Sequence, residues 1–318
     1  MSKILVIGSS NTDLIAKVKS FPAAGETVRG QFFVQAMGGK GANQALAAHR
    51  LGGDVKFVTC LGNDANGQNT MRYYENEGLD VSSSRIVEGV PTGTAMILVN
   101  DEGENCIIIT PGANHELSPA HIRNIEKEIA TALMVVLQME IPFETVEEVC
   151  SLAVKFGTKV LLNVAPAQEI NPRLLKLIHI LVVNETEIET LTGQSIASVG
   201  EESVMNALLR MGPNAVILTV GRNGCLVKTS KVSRHIPAFQ VETIDSTAAG
   251  DTFCGALAAR LTRGSDLIAA VEFATAASAL CVTKMGAQPS IPNEQEVEHF
   301  LAQKIALVDN GKVKINIL

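Results

Sequence analysis

The sequence predicts an α/β fold, a three-layer α/β/α sandwich with a mainly parallel central sheet and a small β-sheet lid at its side. Short apolar runs at Ile4–Ile7, 56–60, 133–137, Lys159–Asn163, 180–183 and 215–220 are nearly continuous rather than alternating, which is how strands buried on both faces read. The intervening stretches 42–51, 67–77, 119–129, Phe143–Phe156 and 201–211 have helical length and apolar spacing. Alternation of this kind implies right-handed βαβ crossovers. Two regions break the rhythm: 27–36 and 94–110 read as antiparallel strands, the second folded at a polar turn over 100–105. These supply the lid, drawn from about residues 11–36 and 90–112. After Gly250 the chain turns helical over 252–263 and 267–283, both rich in alanine, and closes with a helix around 294–303 and an apolar tail.

With 318 residues, 46% of them hydrophobic, the chain can bury a full core. No repeat or flexible linker divides it, so residues 1–318 are expected to form a single domain. The formal net charge of −7 argues against nonspecific binding to nucleic acid or to an anionic membrane. Six cysteines form no CxxC pair, which removes the usual zinc signatures and fits a reduced, cytoplasmic protein. The opening apolar run is too short for a signal peptide or a membrane span. The six histidines share no motif and read as surface or helix residues.

The segment with the most chemistry runs from Asp245 through Ser246, Thr247, Ala248, Ala249 and Gly250 to Asp251. Small residues lead into a helix there, and a helix N-terminus offers unpaired N–H groups and partial positive charge to an anion. Asp251 has two readings at this level: a first-turn acid complementing the helix dipole, or a general base beside a phosphoryl group.

A second segment, Gly38-Gly39-Lys40-Gly41-Ala42-Asn43, opens a helix. It is not a P-loop, because Gly41 stands where the hydroxyl residue after the lysine is required. It reads either as an ordinary helix-capping turn or as a site where Lys40 and Asn43, one helical turn apart, converge on a polyhydroxylated ligand. At the end of the first strand, Gly8-Ser9-Ser10-Asn11-Thr12-Asp13 lacks the GxGxxG spacing of a dinucleotide site. Asn11 and Asp13 lie instead at the carboxyl edge of the sheet, where an amide and a carboxylate can pair with sugar hydroxyls, unless they are simply turn residues.

These three segments, in this order, resemble the signature regions of the ribokinase family of carbohydrate kinases, and the resemblance runs through essentially the whole chain. It implies transfer of the ATP γ-phosphate to a primary hydroxyl of a pentose, D-ribose first, giving the 5-phosphate. By the same resemblance Asn11, Asp13, Gly38, Gly39, Lys40, Asn43 and Glu140 hold the sugar, Asp251 is the base, and Ala248, Ala249 and Gly250 form the anion hole. Asn184 and Glu187 match the family's NxxE motif of the Mg²⁺ and phosphate environment, although Asn followed by Glu at this spacing is also an ordinary capping box. Thr219, Val220, Gly221, Arg222, Asn223 and Gly224 match its ATP loop, and Thr275 its adenine contact. Asp245, Thr247, Cys281, Lys284, Gly286 and Ser290 match an activating K⁺ site, with Cys281 and Lys284 contributing backbone oxygens. The lids of this family also pair subunits, so a homodimer is expected. The alternatives are a kinase of the same fold for deoxyribose, another sugar or a nucleoside, and a non-catalytic sugar- or nucleotide-binding regulator. Val164 departs from the family's usual proline.

Overall fold

The computed structural model describes residues 3–309. Among them, eight strands form the main sheet, in spatial order Ser233–Ile236, Cys225–Thr229, Ala215–Thr219, Ile180–Asn184, Lys159–Asn163, Met134–Leu137, Ile4–Ile7 and Val55–Val58. The last six are mutually parallel and correspond to the six apolar runs. The first two are antiparallel additions at one edge. Successive side chains leave a strand on opposite faces, so each run feeds two cores. Ile4, Val6, Met134 and Val136 pack beneath the helices Lys40–Arg50, Ala249–Thr262 and Leu267–Cys281. Leu5, Ile7, Val135 and Leu137 pack on the other side against Phe143–Phe156 and Glu201–Arg210. Burying each such side chain contributes about 1.5–3 kcal/mol, and burial on both faces is why the runs are continuous.

The helices Lys40–Arg50 and Ala249–Thr262 cross very closely. A Cβ on Gly255 would lie 2.6 Å from Ala47 Cβ, from Ala48 N and from Gln44 O. This contact brings the first turns of both helices together over the carboxyl ends of the strands.

The lid is a separate four-stranded sheet ordered Phe32–Gly38, Asn11–Lys17, Gly93–Val99, Asn105–Thr110. The central pair is parallel and the outer pairs antiparallel. Its free surface is apolar, with Phe33 64% and Ile108 58% exposed.

Three expectations shift. The helix expected over 119–129 is two short helices, Pro119–Asn124 and Glu126–Thr131, meeting at Ile125. The lid strand expected from residue 27 begins at Phe32. The last helix runs on to Asp309 rather than ending near 303, and the end of the apolar tail, 310–318, lies outside the described residues. No helix among the described residues is long and apolar enough to cross a membrane.

Candidate active site

The chemistry-bearing residues gather at the carboxyl ends of the parallel strands, where open α/β sheets bind ligands. Three close approaches of glycine backbone to neighbouring chain form one end of the site. A Cβ on Gly41 would lie 2.5 Å from Gly8 C and Ser9 N, and one on Gly38 would lie 2.1 Å from Asp13 Oδ2. Gly39 has φ +91, and its Cβ would meet Asn11 N and Ser10 Cα at 2.8 Å. Glycine at these positions lets the turn before the helix press against the first strand's end. Asn11, Asp13, Lys40, Asn43 and Glu140 are thereby assembled from sequence positions far apart.

Their hydrogen bonds are specific. Glu140 Oε2 accepts from Ser9 Oγ at 2.6 Å and from Lys40 N at 3.1 Å. Asn114 Nδ2 donates to Asn11 Oδ1 at 2.7 Å, while Ser10 N donates to Asn114 Oδ1 at 2.9 Å. Asn11 is thus locked with its amide oxygen occupied. Asp13 is almost fully buried. Burial, then the neighbouring carboxylates Glu140 and Asp251, push its pKa up to about 7 against the pull of Lys40. Burial lowers the Lys40 ammonium, but Asp251, Glu140 and Glu187 outweigh it and hold its pKa above the ordinary lysine value. Lys40 therefore stands charged among carboxylates.

Asp251 lies in the first turn of its helix and is nearly buried. Its Oδ2 accepts from Asn43 Nδ2 and its Oδ1 from Gln44 Nε2, both at 2.9 Å. Asn43 Oδ1 has no donor among the described residues, leaving an acceptor for a ligand hydroxyl. The turn before Asp251 has the features of an anion site. Ala248, the N-cap, makes no side-chain cap, and its φ of 59 makes it the single non-glycine with positive φ among the described residues. Such backbone strain concentrates at functional sites. A Cβ on Gly250 would meet nothing within 4 Å, and its φ is not positive. Neither packing nor backbone geometry calls for glycine there.

Beyond Asp251 the strand ends continue toward the other edge of the sheet. Asn184 and Glu187 form a complete capping box: Glu187 N donates to Asn184 Oδ1 at 2.9 Å, and Asn184 N donates to Glu187 Oε2 at 2.8 Å. The structural reading of this motif is therefore realised, yet Glu187 also faces the site. Burial raises its pKa to about 7 with help from Asp251, against the Asn184 N–H and Lys40. Thr219 ends its strand, Val220 is buried, Gly221–Asn223 form one 3₁₀ turn containing exposed Arg222, and Gly224 has φ 93. Thr275 is buried beside this loop, its Oγ1 3.7 Å from Cys225 Sγ.

The candidate cation loop is also assembled. Asp245 Oδ1 accepts from Thr247 N and Thr247 Oγ1, and Oδ2 from Gly286 N at 2.8 Å. Burial raises the Asp245 pKa, but these hydrogen bonds outweigh it and hold it below the usual value. The Cys281 thiol lies between Thr247 O and Ser290 Oγ, so this side chain takes part in the loop although only its backbone was expected to. Lys284 points its ammonium to Glu296 and its N–H to Cys281 O.

Ser9, Gln44, Asn114, Gln138 and Asn163 received no role from the sequence. The signal for Asn163 was a polar residue ending an otherwise apolar strand run, and Gln138 immediately follows such a run.

The sequence profile of the pfkB family carbohydrate kinases matches residues 1–294. A ribokinase from Haemophilus influenzae is 42% identical over 301 residues, covering 94% of this chain and 98% of its own. A deoxyribokinase from Salmonella typhimurium is 36% identical over 301 residues, covering 94% and 98%. The structure of Arabidopsis thaliana ribokinase complexed with ribose and ATP superposes with a TM-score of 0.87 at 31% identity, covering 94% of this chain and 98% of that one. The glycine-tightened turn, the buried Asp251 and the uncapped helix start thus stand in a chain that belongs to the pfkB family of carbohydrate kinases.

Proposed function

We propose that the protein transfers the γ-phosphoryl group of ATP to the O5 hydroxyl of D-ribose, with Asp251 as the general base. The observation that carries this reading is the position of Asp251, between the polar cluster at the sugar end and the uncapped helix start after Ala248. In the reaction Asp251 takes the proton from the O5 hydroxyl as O5 bonds to the γ-phosphorus. The bond from that phosphorus to the β–γ bridging oxygen breaks, and ADP leaves with the electron pair. Backbone N–H groups at Gly250 and Asp251 stabilise the charge on the transferring group, while Ala248 and Ala249, whose N–H donates to Ser246 O at 3.2 Å, shape the turn that presents them. Asn11, Asp13, Gly38, Gly39, Lys40, Asn43 and Glu140 hold the sugar, the carboxylates accepting from hydroxyls and the amides bonding both ways. The loop from Thr219 to Gly224, together with Thr275, holds the nucleotide.

Two cations belong to this reading. Asn184 and Glu187 would hold Mg²⁺ through its water shell, since their own polar atoms are already paired with each other. Mg²⁺ supplies charge neutralisation across the phosphates. The ionised Asp245, with the backbone oxygens of Thr247, Cys281, Lys284 and Gly286 and the Ser290 hydroxyl, is the oxygen-rich donor set that suits a hard cation such as K⁺. Its chain-side effect is to fix the loop that leads into Ala248. The exposed apolar face of the lid, including Phe32, Phe33, Ile107 and Ile108, supports a homodimer joined through the lids.

The deoxyribokinase relative favours 2-deoxyribose as the second reading. ADP release measured with ATP and ribose, 2-deoxyribose, a hexose and a nucleoside discriminates among these. Ribose is expected to give the highest kcat/KM, with the product phosphorylated at C5 by NMR. Ribose among the poorest acceptors would remove the ribose assignment. Binding of ribose and ATP without turnover of any acceptor would instead indicate a regulator.

A further inference from the structure

Asp251 sits on a buried relay of side-chain amides, and this relay extends well past the residues expected to touch the sugar. Gln44 Nε2 donates to Asp251 Oδ1 at 2.9 Å and to Asn163 Oδ1 at 3.1 Å. Both hydrogens of that amide are thereby spent. Gln44 Oε1 accepts from Gln138 Nε2 at 2.7 Å, which fixes the amide with its donors, not its oxygen, toward Asp251. Asn163 is oriented in turn, its Nδ2 donating to Val182 O at 3.3 Å. Gln44 and Gln138 have no exposed surface, and Asn163 and Asp251 have very little. Gln138 is pressed in from behind: a Cβ on Gly8 would lie 1.9 Å from Gln138 Oε1. Burying three uncharged amides in a low-dielectric interior is costly, the more so because Gln138 Oε1 finds no donor among the described residues, so their retention calls for a reason.

We propose that Gln44 is a positioning residue for the base. It pins Asp251 Oδ1 as Asn43 pins Oδ2, one donor to each oxygen among the described residues, so that the carboxylate is held in a single orientation for taking the sugar proton. Gln138 acts one step further back by setting the orientation of the Gln44 amide, and Asn163 occupies its second hydrogen so that the amide cannot swing away. A carboxylate held by donors stays charged and aimed. The alignment that such anchoring preserves is worth about 100-fold in rate when a reacting group is displaced by about 1 Å. The titratable groups around Asp251 are Asp13, Lys40, Glu187, Cys254 and Cys281. None of them hydrogen-bonds to either carboxylate oxygen among the described residues, so the anchoring falls to the amides.

This inference rests on the proposed kinase reaction, and the experiment separates the two. Purified full-length protein is assayed with ribose and ATP across pH, together with Gln44→Met, Gln138→Met, Asp251→Asn and the Gln44→Met/Asp251→Asn double variant. Methionine keeps the length and volume of glutamine while removing the amide. The expected result for Gln44→Met is a kcat lower by about 30- to 100-fold and a ribose Kd by calorimetry within about threefold of wild type. The acid limb of its kcat profile moves to higher pH, because a carboxylate that loses a donor holds its proton longer. Gln138→Met shows a smaller loss with the same shift, and it carries the test alone should Gln44→Met fail to fold. In the Asp251→Asn background Gln44→Met costs no further turnover, since a positioning residue has nothing left to position. An unchanged pH profile, or equal losses in ribose affinity and kcat, would overturn the inference. A wild-type protein that phosphorylates no acceptor would overturn the function itself and the inference with it.

Discussion

Two small-residue turns meet at Asp251, and they contain glycine for opposite reasons. In the turn at residues 38–41, an added Cβ would strike protein at every glycine, with backbone of Gly8 and Ser9 at 2.5 Å from Gly41 and the Asp13 carboxylate at 2.1 Å from Gly38. At Gly250 an added Cβ would meet no protein atom within 4 Å. The first turn is glycine-rich because the chain must pass close to itself to assemble the polar cluster proposed to hold the sugar. The second has no such crowding, and in the proposed reaction its small residues let the phosphoryl group come close. A glycine-rich motif therefore has no single meaning, and crowding around the missing Cβ separates its architectural from its ligand-facing use.

That contrast predicts opposite outcomes for the same substitution. Gly41→Ala forces backbone apart and is expected to destabilise the fold by about 3 kcal/mol, toward the upper end for overpacking, measured by urea unfolding. Gly250→Ala is expected to leave the urea midpoint unchanged and lower kcat by about 100-fold, the scale for disturbing one donor of an anion hole. A destabilised Gly250→Ala protein, or a fully stable Gly41→Ala one, would break the distinction. Gly255→Ala tests the packing that joins the two turns. It should cost about 2 kcal/mol by pushing the two helices apart, and it should also reduce kcat, because Asn43 and Gln44 withdraw from Asp251.

The smallest effect concerns charge. Folded Asp13 keeps its proton up to about pH 7, whereas the ordinary value is 3.8. The folded state thus binds more protons between those limits, and the stability contributed by this group is full below pH 3.8 and lost as pH rises through 7. Asp13→Asn is expected to remove that decline and to stabilise the ligand-free protein at pH 8 by about 1–2 kcal/mol, read from urea midpoints at pH 5 and 8, while weakening ribose binding. Glu187, also raised to about 7, contributes a separate decline that persists in this variant.

The six parallel strands were legible because strands buried on both faces must be apolar throughout. The antiparallel strands Cys225–Thr229 and Ser233–Ile236 escaped, since Lys228, Ser233 and Arg234 interrupt their apolar pattern at an edge that faces solvent. Asn11–Lys17 fell within the expected lid span but was not singled out as a strand, because its polar start, which also reads as a turn, breaks the apolar pattern. The break at Ile125 left no mark because it falls between two segments that are helical in pattern. Within the site, Asp251 and the glycine turns were legible as motifs, and their resemblance to the family supplied roles. The relay of Gln44, Gln138 and Asn163 was not legible, since its bonds span 94 to 207 residues of sequence and only the folded chain brings these amides together.

The most direct test of the account is Asp251→Asn, assayed for ribose-dependent ADP formation and, by calorimetry, for ribose binding. Asparagine keeps the shape but cannot accept the hydroxyl proton, so turnover is expected to fall by at least about 100-fold, the lower scale of general-base catalysis, with ribose affinity retained. Turnover equal to wild type, with ribose still bound, would show that Asp251 only complements its helix dipole and that the base lies elsewhere.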